Sequence, residues 1–220
     1  MYYSKDTLIP IISSNEYDEV AQDFLERYFP QALSVPQPVP ILDVARNNVG
    51  LDVQFVRLSE ELDIYGITVF SDGLIDIYDE TDELYDSRFY KRKTVLIDPE
   101  AYKKTNHGCV NNTIAHECVH WFKHRMYYKM QDIILPKSAK YCKCSVNKLQ
   151  YNDNEIDMLE SQATGIAPRI LMPYNSFIEK ARDFSKIHNK SFQDIVSDLS
   201  EFFRVSKASV SIRLSECNLI

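Results

Sequence analysis

The stretch His116-Glu117-Cys118-Val119-His120 has the pattern H-E-x-x-H and lies in a segment whose composition favours a helix. Residues four positions apart lie on one face of a helix, so both histidines can reach the same metal ion. Glu117 lies next to that face, where its carboxylate can hold a water and act as a general base. The pattern therefore predicts two metal ligands and one catalytic carboxylate for a hydrolytic reaction.

The residues around this motif support a helix. Asn111 or Asn112 is predicted to be its N-cap, and the segment 113–130 contains no Gly or Pro. The helix is expected to be buried because it carries apolar residues at helical spacing, namely Ile114, Val119, Phe122 and Met126. A buried setting argues against the simpler alternative, in which two histidines merely form hydrogen bonds at a helix surface.

Two neighbours of the motif are predicted to have supporting roles. His124 continues the spacing of four, but each such step climbs about 6 Å along the axis, which takes His124 away from a metal held by the first two histidines. We expect it to pack against a ligand or to support one. Cys118 points away from the ligand face and is expected to be a small core residue.

A third metal ligand is expected downstream, because a catalytic zinc ion takes three protein ligands and keeps one position open. A second helical segment begins near Asn154, after a cap at Asn152 or Asp153, and is expected to be interrupted near Gly165 and Pro168 and to end by Pro173. Its candidate ligands are Glu155, Asp157 and Glu160. Spacing leaves the three open, although Glu160 lies deepest among apolar neighbours, and a buried carboxylate needs a partner such as a cation.

The two helical segments together resemble the ImmA/IrrE family of metallo-endopeptidases. That family pairs H-E-x-x-H with a later helix of pattern E-x-x-A-(N/D)-x-(F/L)-A-x-x-(L/I)-L-M-P, which corresponds here to residues 160–173. The resemblance covers about residues 40–215. It implies a zincin-like fold and one catalytic Zn²⁺ ion, with His116, His120 and Glu160 as metal ligands and Glu117 as catalytic base. Thr164 departs from the family's Asn or Asp, so the support of a ligand histidine is expected to differ.

The hydrophobic pattern predicts an α+β fold in which a small sheet precedes the metal-binding helices. An amphipathic helix is expected over 15–29, then an extended linker over 34–40 and a short helix over 41–48 that Gly50 closes. Strands are predicted at 53–58, 65–70, 74–78 and 93–97. Ser71-Asp72-Gly73 is predicted to be a hairpin turn, and the acidic segment 79–86 a solvated loop.

Two segments are expected to border the cleft. The strand around Gly66 is predicted either to hold an extended peptide at the edge of the sheet or to contain a bulge. The stretch 121–159 is longer than in compact members of the family and can form an insert over the cleft. Within it, Cys142-Lys143-Cys144 could bind a separate structural zinc ion or form a disulfide, and the sequence leaves this open.

Residues 1–175 are predicted to form the zincin-like metallopeptidase domain, with 176–220 as a C-terminal helical segment packed on it. Residues 192–219 are expected to be helical and to resemble a helix-turn-helix, with Val205-Ser206 in the turn. The basic residues Lys207 and Arg213 are offset there by acidic neighbours, which argues against direct nucleic-acid binding. This segment is therefore interpreted as a unit for packing or for docking a partner.

Composition narrows the class of protein. The chain has 220 residues and a net charge of −7, which gives no general affinity for nucleic acid or for anionic membranes. No membrane span or signal peptide is visible in the sequence. The five cysteines are an odd number without a disulfide framework, and this pattern favours a reducing cytoplasm.

The expected function is that of a zinc-dependent endopeptidase. The resemblance implies a protein substrate, namely a helix-turn-helix transcriptional repressor of a mobile element or a stress response. Two alternatives from other classes stay open. One is a non-catalytic regulatory protein that binds and sequesters a repressor, and the other is a DNA-binding regulator that acts through residues 192–219.

Overall fold

A computed structural model describes residues 2–4, 8–100, 107–135, 139–145, 154–186 and 190–219. It has the predicted α+β architecture, in which a small sheet packs on the helix that carries the H-E-x-x-H motif. The helices are Tyr17–Tyr28 (α1), Gln31–Ser34 (α2), Ile41–Asp43 (α3), His107–Val119 (α4), Arg125–Ile134 (α5), Asn154–Leu171 (α6), Tyr174–Ser185 (α7), Phe192–Phe203 (α8) and Lys207–Glu216 (α9). The strands are Tyr2–Tyr3 (β1), Pro10–Ile11 (β2), Asp52–Phe55 (β3), Ile64–Val69 (β4), Gly73–Asp79 (β5), Leu84–Tyr90 (β6), Thr94–Ile97 (β7) and Tyr141–Ser145 (β8).

The central sheet has four strands in the order β3-β7-β4-β8. Strand β7 is parallel to β3 and antiparallel to β4, and β8 is antiparallel to β4 on its other side. Strands β5 and β6 form a separate antiparallel hairpin. The prediction that Ser71-Asp72-Gly73 is a hairpin turn was therefore wrong, because both edges of β4 are already paired and β5 pairs with β6 instead.

The acidic segment 79–86 is solvent-exposed over 80–86, as predicted, but it is not a loop throughout. Residue 79 ends β5 and residues 84–86 begin β6, so the turn is confined to 80–83. Arg88 of β6 lies 2.7 Å from the carboxylate of Asp79 and 3.0 Å from that of Asp86. Such pairs offset part of the acidic charge, so the segment can pair as a hairpin rather than remain a loop.

The N-terminal helices follow the sequence closely. Helix α1 buries Val20, Phe24 and Leu25 on the face that the amphipathic pattern predicts. Helix α3 continues as a wider π-helical turn over Val44–Val49 and ends at Gly50, whose φ of +78° is a left-handed conformation that glycine adopts readily. Residues 35–40 have no regular structure, as an extended linker requires.

Helix α4 begins earlier than predicted, at His107, so neither Asn111 nor Asn112 is its N-cap. The side-chain amide of Asn111 instead donates a hydrogen bond to the carbonyl of Arg204, 2.9 Å away in the C-terminal segment. The side chain of Asn111 therefore makes a tertiary contact rather than a helix cap. The helix continues through a π-helical turn over His120–His124 into α5.

Helix α6 is continuous, so the interruption predicted near Gly165 and Pro168 does not occur. Gly165 is explained by packing, because a Cβ atom there would overlap the ring of Tyr17. The guanidinium of Arg169 donates to the carbonyl of Gly165 within the same turn as Pro168. The helix ends at Leu171, before Pro173, as expected. The predicted caps Asn152 and Asp153 lie outside the described residues.

One hydrophobic core joins α1, α4, α6 and the C-terminal helices, and it includes Phe24, Ile114, Ile166, Phe177 and Leu199. A smaller cluster lies between the central sheet and the β5–β6 hairpin. Helices α8 and α9 form the predicted helix-turn-helix arrangement, with Arg204 at a φ of +55° and Ser206 as the N-cap of α9. Of the helices in the described ranges, none has the length and apolar character needed to cross a membrane.

Candidate metal centre

Helices α4 and α6 pack against each other and bring three predicted ligands together. The Nε2 atoms of His116 and His120 lie 2.9 Å apart. The carboxylate oxygens of Glu160 lie 3.2 Å from Nε2 of His116 and 3.1 Å from Nε2 of His120. Of the other two candidate ligands, Asp157 is exposed and Glu155 lies beside the hydroxyl of Tyr127. Of the three downstream carboxylates, Glu160 is therefore the one that converges with the histidines into a group able to hold a metal ion.

The charges of this cluster favour a cation. Burial by itself would lower the pKa of His116, but the adjacent Cys144 thiol and the Glu160 and Glu117 carboxylates outweigh it and raise that pKa well above its usual value. Burial would raise the pKa of Glu160, but His120 and His116 lower it far below its usual range. Both shifts have the direction expected where a carboxylate faces two imidazoles, with positive charge favoured next to Glu160. A metal ion satisfies the same electrostatic demand as the protons do.

Glu117 is completely buried, and its two carboxylate oxygens have different surroundings. Oε2 accepts a hydrogen bond of 2.6 Å from the hydroxyl of Thr68 on β4. Oε1 is buried without a hydrogen-bond partner among the described residues. Burial raises the pKa of this carboxyl, although the neighbouring histidines and Thr68 oppose the shift. The hydrogen bond from Thr68 thus fixes one oxygen of the carboxylate, and the other oxygen is available to accept a proton.

Gly66 makes room for this carboxylate. A Cβ atom at position 66 would lie 2.6 Å from Oε1 of Glu117 and 3.0 Å from its Cδ, so a larger residue would displace the side chain. The strand does approach closely at Gly66, as the sequence indicated. The register with β8 also shifts between Ile64 and Gly66, so the bulge that was weighed as an alternative is present as well.

A chain of hydrogen bonds fixes the orientation of His120. The amide nitrogen of Gln162 donates to the carbonyl of Pro10 (2.8 Å), which turns its Oε1 toward Nε2 of His124 (3.1 Å). Burial lowers the pKa of His124 well below its usual value, and the adjacent His120 lowers it further, so His124 is neutral. Its Nε2–H therefore donates to Gln162, and its Nδ1 accepts from Nδ1–H of His120, 2.9 Å away. This tautomer leaves the lone pair of His120 Nε2 directed at the candidate metal position.

His124 packs against His120, as expected, but its other partner was not foreseen. Thr164, which occupies the family's Asn or Asp position, is exposed, and Gln162 on the same helix supports the histidines instead. Sequence reasoning also missed Thr68, because it lies 49 positions before Glu117 and no local pattern marks it. The spacing of His124 was the signal that could have pointed to a partner such as Gln162. A third histidine on the buried face of the helix needs a polar group to form a hydrogen bond with.

Strand β8 places two cysteines over the same cluster. Cys142 pairs with Thr68 and Cys144 with Gly66, so both side chains project from the face that Glu117 contacts. The thiol of Cys142 donates to Glu160 (2.8 Å) and lies 3.7 Å from Nε2 of His120. Burial raises the pKa of Cys142 well above its usual value, and Glu160 adds to this shift. The motif that the sequence left open as a separate zinc site or a disulfide lies instead at this centre, and both thiols are unbridged.

The position of β8 corrects one expectation about the cleft. Strand β4, around Gly66, was expected to offer an exposed edge to an extended peptide. Residues 141–145 of the same chain occupy that edge by antiparallel pairing over Ile64–Val69. The predicted insert therefore contributes a strand, Tyr141–Ser145, beside the candidate metal centre. Cys118, by contrast, is buried in the main core, as expected.

Comparison with known proteins gives one family match. The model of peptidase M78, described as the IrrE N-terminal-like domain, matches residues 74–215. No curated protein matches the chain. A solved structure of a Mycobacterium tuberculosis transcriptional regulator superposes with a TM-score of 0.44 at 13% identity, covering 97% of this chain and 48% of that one. The chain thus spans about half the length of that regulator.

Proposed function

Because this chain belongs to the peptidase M78 family of IrrE N-terminal-like domains, whose model covers more than half of it, we propose that it is a zinc-dependent endopeptidase. Its substrate would be a specific protein, namely a helix-turn-helix transcriptional repressor of a mobile element or a stress response. The substrate class rests on the family resemblance. The hydrolytic chemistry rests on the arrangement of Glu117 beside the three converging ligands.

In this proposal His116, His120 and Glu160 hold the zinc ion. Two imidazoles and one carboxylate form a donor set that hydrolytic zinc sites use. Zinc–ligand bonds of about 2.0–2.2 Å at tetrahedral angles separate the donor atoms by about 3.3 Å. The observed separations of 2.9, 3.2 and 3.1 Å are close to that spacing. When bound, a zinc ion polarises a carbonyl group and lowers the pKa of water toward neutrality.

Glu117 would act as the general base and then as the general acid. Thr68 fixes one carboxylate oxygen, so Oε1 is the atom that accepts a proton from the attacking water. A carboxyl whose pKa is raised by burial can hold that proton and deliver it to the leaving amine. The single observation that carries the proposal is this carboxylate, which lies within 4.8 Å of a ring nitrogen of His116. One of its oxygens is fixed by Thr68, and the other has no hydrogen-bond partner among the described residues.

We also propose that the protein acts in the cytoplasm and that its partner is a protein rather than nucleic acid. The described cysteines, Cys118, Cys142, Cys144 and Cys217, are thiols, which suits a reducing compartment. Arg213, one of the two basic residues of α9, is 1% exposed and paired with Asp18, so it cannot reach a phosphate. In this view residues 1–175 form the peptidase domain and 176–220 a C-terminal helical segment packed on it.

The test compares wild-type protein with Glu117→Gln. Glutamine keeps the shape and the hydrogen bond with Thr68 but cannot take up the proton, so the cleavage rate is expected to fall by about 10²–10⁴-fold. The zinc content should stay at one ion per chain. Both proteins are incubated with candidate repressors and with unfolded casein, and products are identified by intact mass.

Two results would overturn the proposal. Cleavage by Glu117→Gln at the wild-type rate would remove the role of the carboxylate. A wild-type protein that binds zinc and a repressor in a stable, uncleaved complex would favour sequestration of the repressor instead. Thr164→Ala is the matched control, because Thr164 is exposed on the helix that carries Glu160 and its loss should change neither zinc content nor cleavage.

A further inference from the structure

Strand β8 combines two features that no requirement of hydrolysis explains. It occupies the edge of β4 beside the metal site, and it carries a cysteine at each position that faces the site. The sulfur of Cys144, a ring nitrogen of His116 and a carboxylate oxygen of Glu117 lie within 4.8 Å of one another. A second trio, formed by His116, His120 and Glu160, shares His116 with the first.

We propose that β8 is a built-in occupant of the peptide-binding edge and that the Cys144 thiolate is the fourth ligand of the metal, which makes the resting protein latent. The inference rests on the proposed function and adds a regulated state of the same site. Structural zinc sites are closed by four protein ligands, whereas catalytic sites keep one position open for water. Thiolate sulfur is among the ligands that zinc binds most readily.

The position of Cys144 distinguishes it from Cys142. Cys142 donates its S–H to Glu160, lies 3.7 Å from Nε2 of His120 and is 3% exposed, so its thiol is already engaged with two of the proposed ligands. Cys144 is half-buried and lies next to both His116 and Glu117, on the side where Glu117 would hold the attacking water. A sulfur at that position competes directly with the water for the metal.

The backbone of β8 has the form that a bound peptide would take. An extended peptide binds a sheet edge by main-chain hydrogen bonds, and its alternate side chains point into the site. Strand β8 is antiparallel to β4 over Tyr141–Ser145 and directs Cys142 and Cys144 toward the metal ligands. A substrate peptide cannot pair with the same edge of β4 until β8 leaves it.

The ligation step is balanced without any oxidant or reductant. The S–H bond of Cys144 breaks, its proton is released to solvent, and the sulfur lone pair forms the bond to the metal. Activation is the reverse exchange, in which water replaces the thiolate and the sulfur regains a proton. Displacement of β8 by the substrate's own strand would drive this exchange.

The first test uses full-length protein loaded with Co²⁺ in place of zinc. Wild-type protein is expected to show cobalt d–d bands together with a thiolate-to-cobalt charge-transfer band in the near ultraviolet. Cys144→Ser should lose only the charge-transfer band, and the matched control Cys142→Ser, on the same face of the same strand, should keep it. An unchanged band in Cys144→Ser, or its loss in Cys142→Ser instead, would overturn the inference.

A second measurement needs no variant and so does not depend on its folding. Zinc is expected to slow alkylation of Cys144 by iodoacetamide by about tenfold or more, since a ligated sulfur is no longer a free nucleophile. Cys217, remote from the site on the C-terminal segment, gives the internal control. Equal alkylation rates of Cys144 with and without zinc would refute ligation.

Latency is tested with a tripeptide hydroxamate, which combines an extended backbone with a metal-binding group. If the bond from Cys144 to the metal is what keeps β8 in place in more than about nine of ten wild-type molecules, Cys144→Ser should bind this probe about tenfold or more tightly. Equal affinities would show that this bond does not hold the site closed, which would overturn the latency that we propose. The cobalt spectrum distinguishes this failure from failure of the proposed function. Absence of the d–d bands would mean that the protein does not hold the metal at the site, which would contradict the proposed function. Presence of the d–d bands without the charge-transfer band would mean that the metal binds without a sulfur ligand, which refutes this inference alone.

Discussion

Two of the polar clusters in the described part of the chain are built on opposite electrostatic principles. In the first, at the base of α9, Arg213 pairs with Asp18 and Glu216, and Arg169 pairs with the same two carboxylates. Two guanidinium groups face two carboxylates, so the cluster is neutral by itself. In the second, His116 and His120 face Glu160 and Glu117. Imidazoles can be neutral, so these side chains do not by themselves balance the charge of two carboxylates.

This difference in charge balance distinguishes the cluster around Arg213, which stabilises the fold, from the cluster around Glu160, which can bind a cation. The cluster around Arg213 meets its own charge requirement. Arg213 connects α9 to α1 through its ion pair with Asp18, and it connects α9 to the end of α6 through a hydrogen bond to the carbonyl of Met172. The cluster around Glu160 has an excess of negative charge and a histidine whose pKa is raised in response. A buried site with that imbalance favours a divalent cation. The four predictions that follow test this distinction.

The largest effect is expected from breaking the neutral cluster. Arg213→Ala should lower the free energy of unfolding by about 3 kcal/mol, the lower end of the range for a broken buried ion pair, because Asp18 remains partly exposed to water. Zinc affinity of the folded protein should not change. Denaturant unfolding and zinc titration check the two statements, with the exposed Lys207→Ala on the same helix as control. A large loss of zinc affinity in Arg213→Ala would show that the clusters are coupled.

The next effect concerns the negative cluster. Glu160→Ala should weaken zinc binding by more than about a hundredfold, which exceeds the cost of losing a residue that only supports a ligand. Asp157→Ala, an exposed carboxylate on the same helix, is the matched control and should bind zinc as the wild type does. Competition with a chromogenic chelator gives both affinities. Equal losses in the two variants would point to helix stability rather than ligation.

A smaller loss is expected from the hydrogen bonds behind His120. Gln162→Leu removes the acceptor for Nε2–H of His124, so the tautomer of His120 is no longer fixed, and zinc affinity should fall by about 10–100-fold. Nitrogen NMR chemical shifts of the histidine rings report the tautomers directly. Wild-type tautomers and affinity in Gln162→Leu would show that this chain of bonds does not orient the ligand.

The last effect, which is the smallest when it is taken per pH unit, distinguishes the two clusters by how zinc affinity and stability depend on pH. Zinc must displace a proton from His116, whose pKa is raised, so zinc affinity should still increase by up to about tenfold per pH unit from pH 6 to 8. Arg213 and Arg169 lower the pKa of Asp18 against the opposing effect of burial, so its stabilising contribution is lost only as pH falls below about 3.9. Zinc titrations between pH 6 and 8 check the first statement, and unfolding curves measured down through about pH 3.9 check the second. A zinc affinity independent of pH would contradict the charge assignment.

Sequence reasoning worked where a structure depends on local spacing. The helix that presents His116 and His120 and the amphipathic pattern of α1 follow from residue periodicity, which backbone geometry imposes within a few residues. It failed where an element depends on its neighbours. The hairpin expected at Ser71-Asp72-Gly73 is absent because β7 and β8 pair with both edges of β4. Helix α6 passes through Gly165 and Pro168 because tertiary packing outweighs local helix propensity.

The sequence by itself determined the chemistry that this protein can offer, because the kinds of donor atoms and their spacing on a helix are local properties. It identified His116, Glu117 and His120 by pattern, and although spacing left three carboxylates open, the family resemblance implied Glu160 as the third ligand. Only the tertiary structure decided that Glu160 meets the histidines in space, that Thr68 and Gln162 hold the buried side chains, and that β8 brings its cysteines to the same centre. Those contacts join residues tens of positions apart, so they depend on how the sheet and helices pack rather than on any short segment.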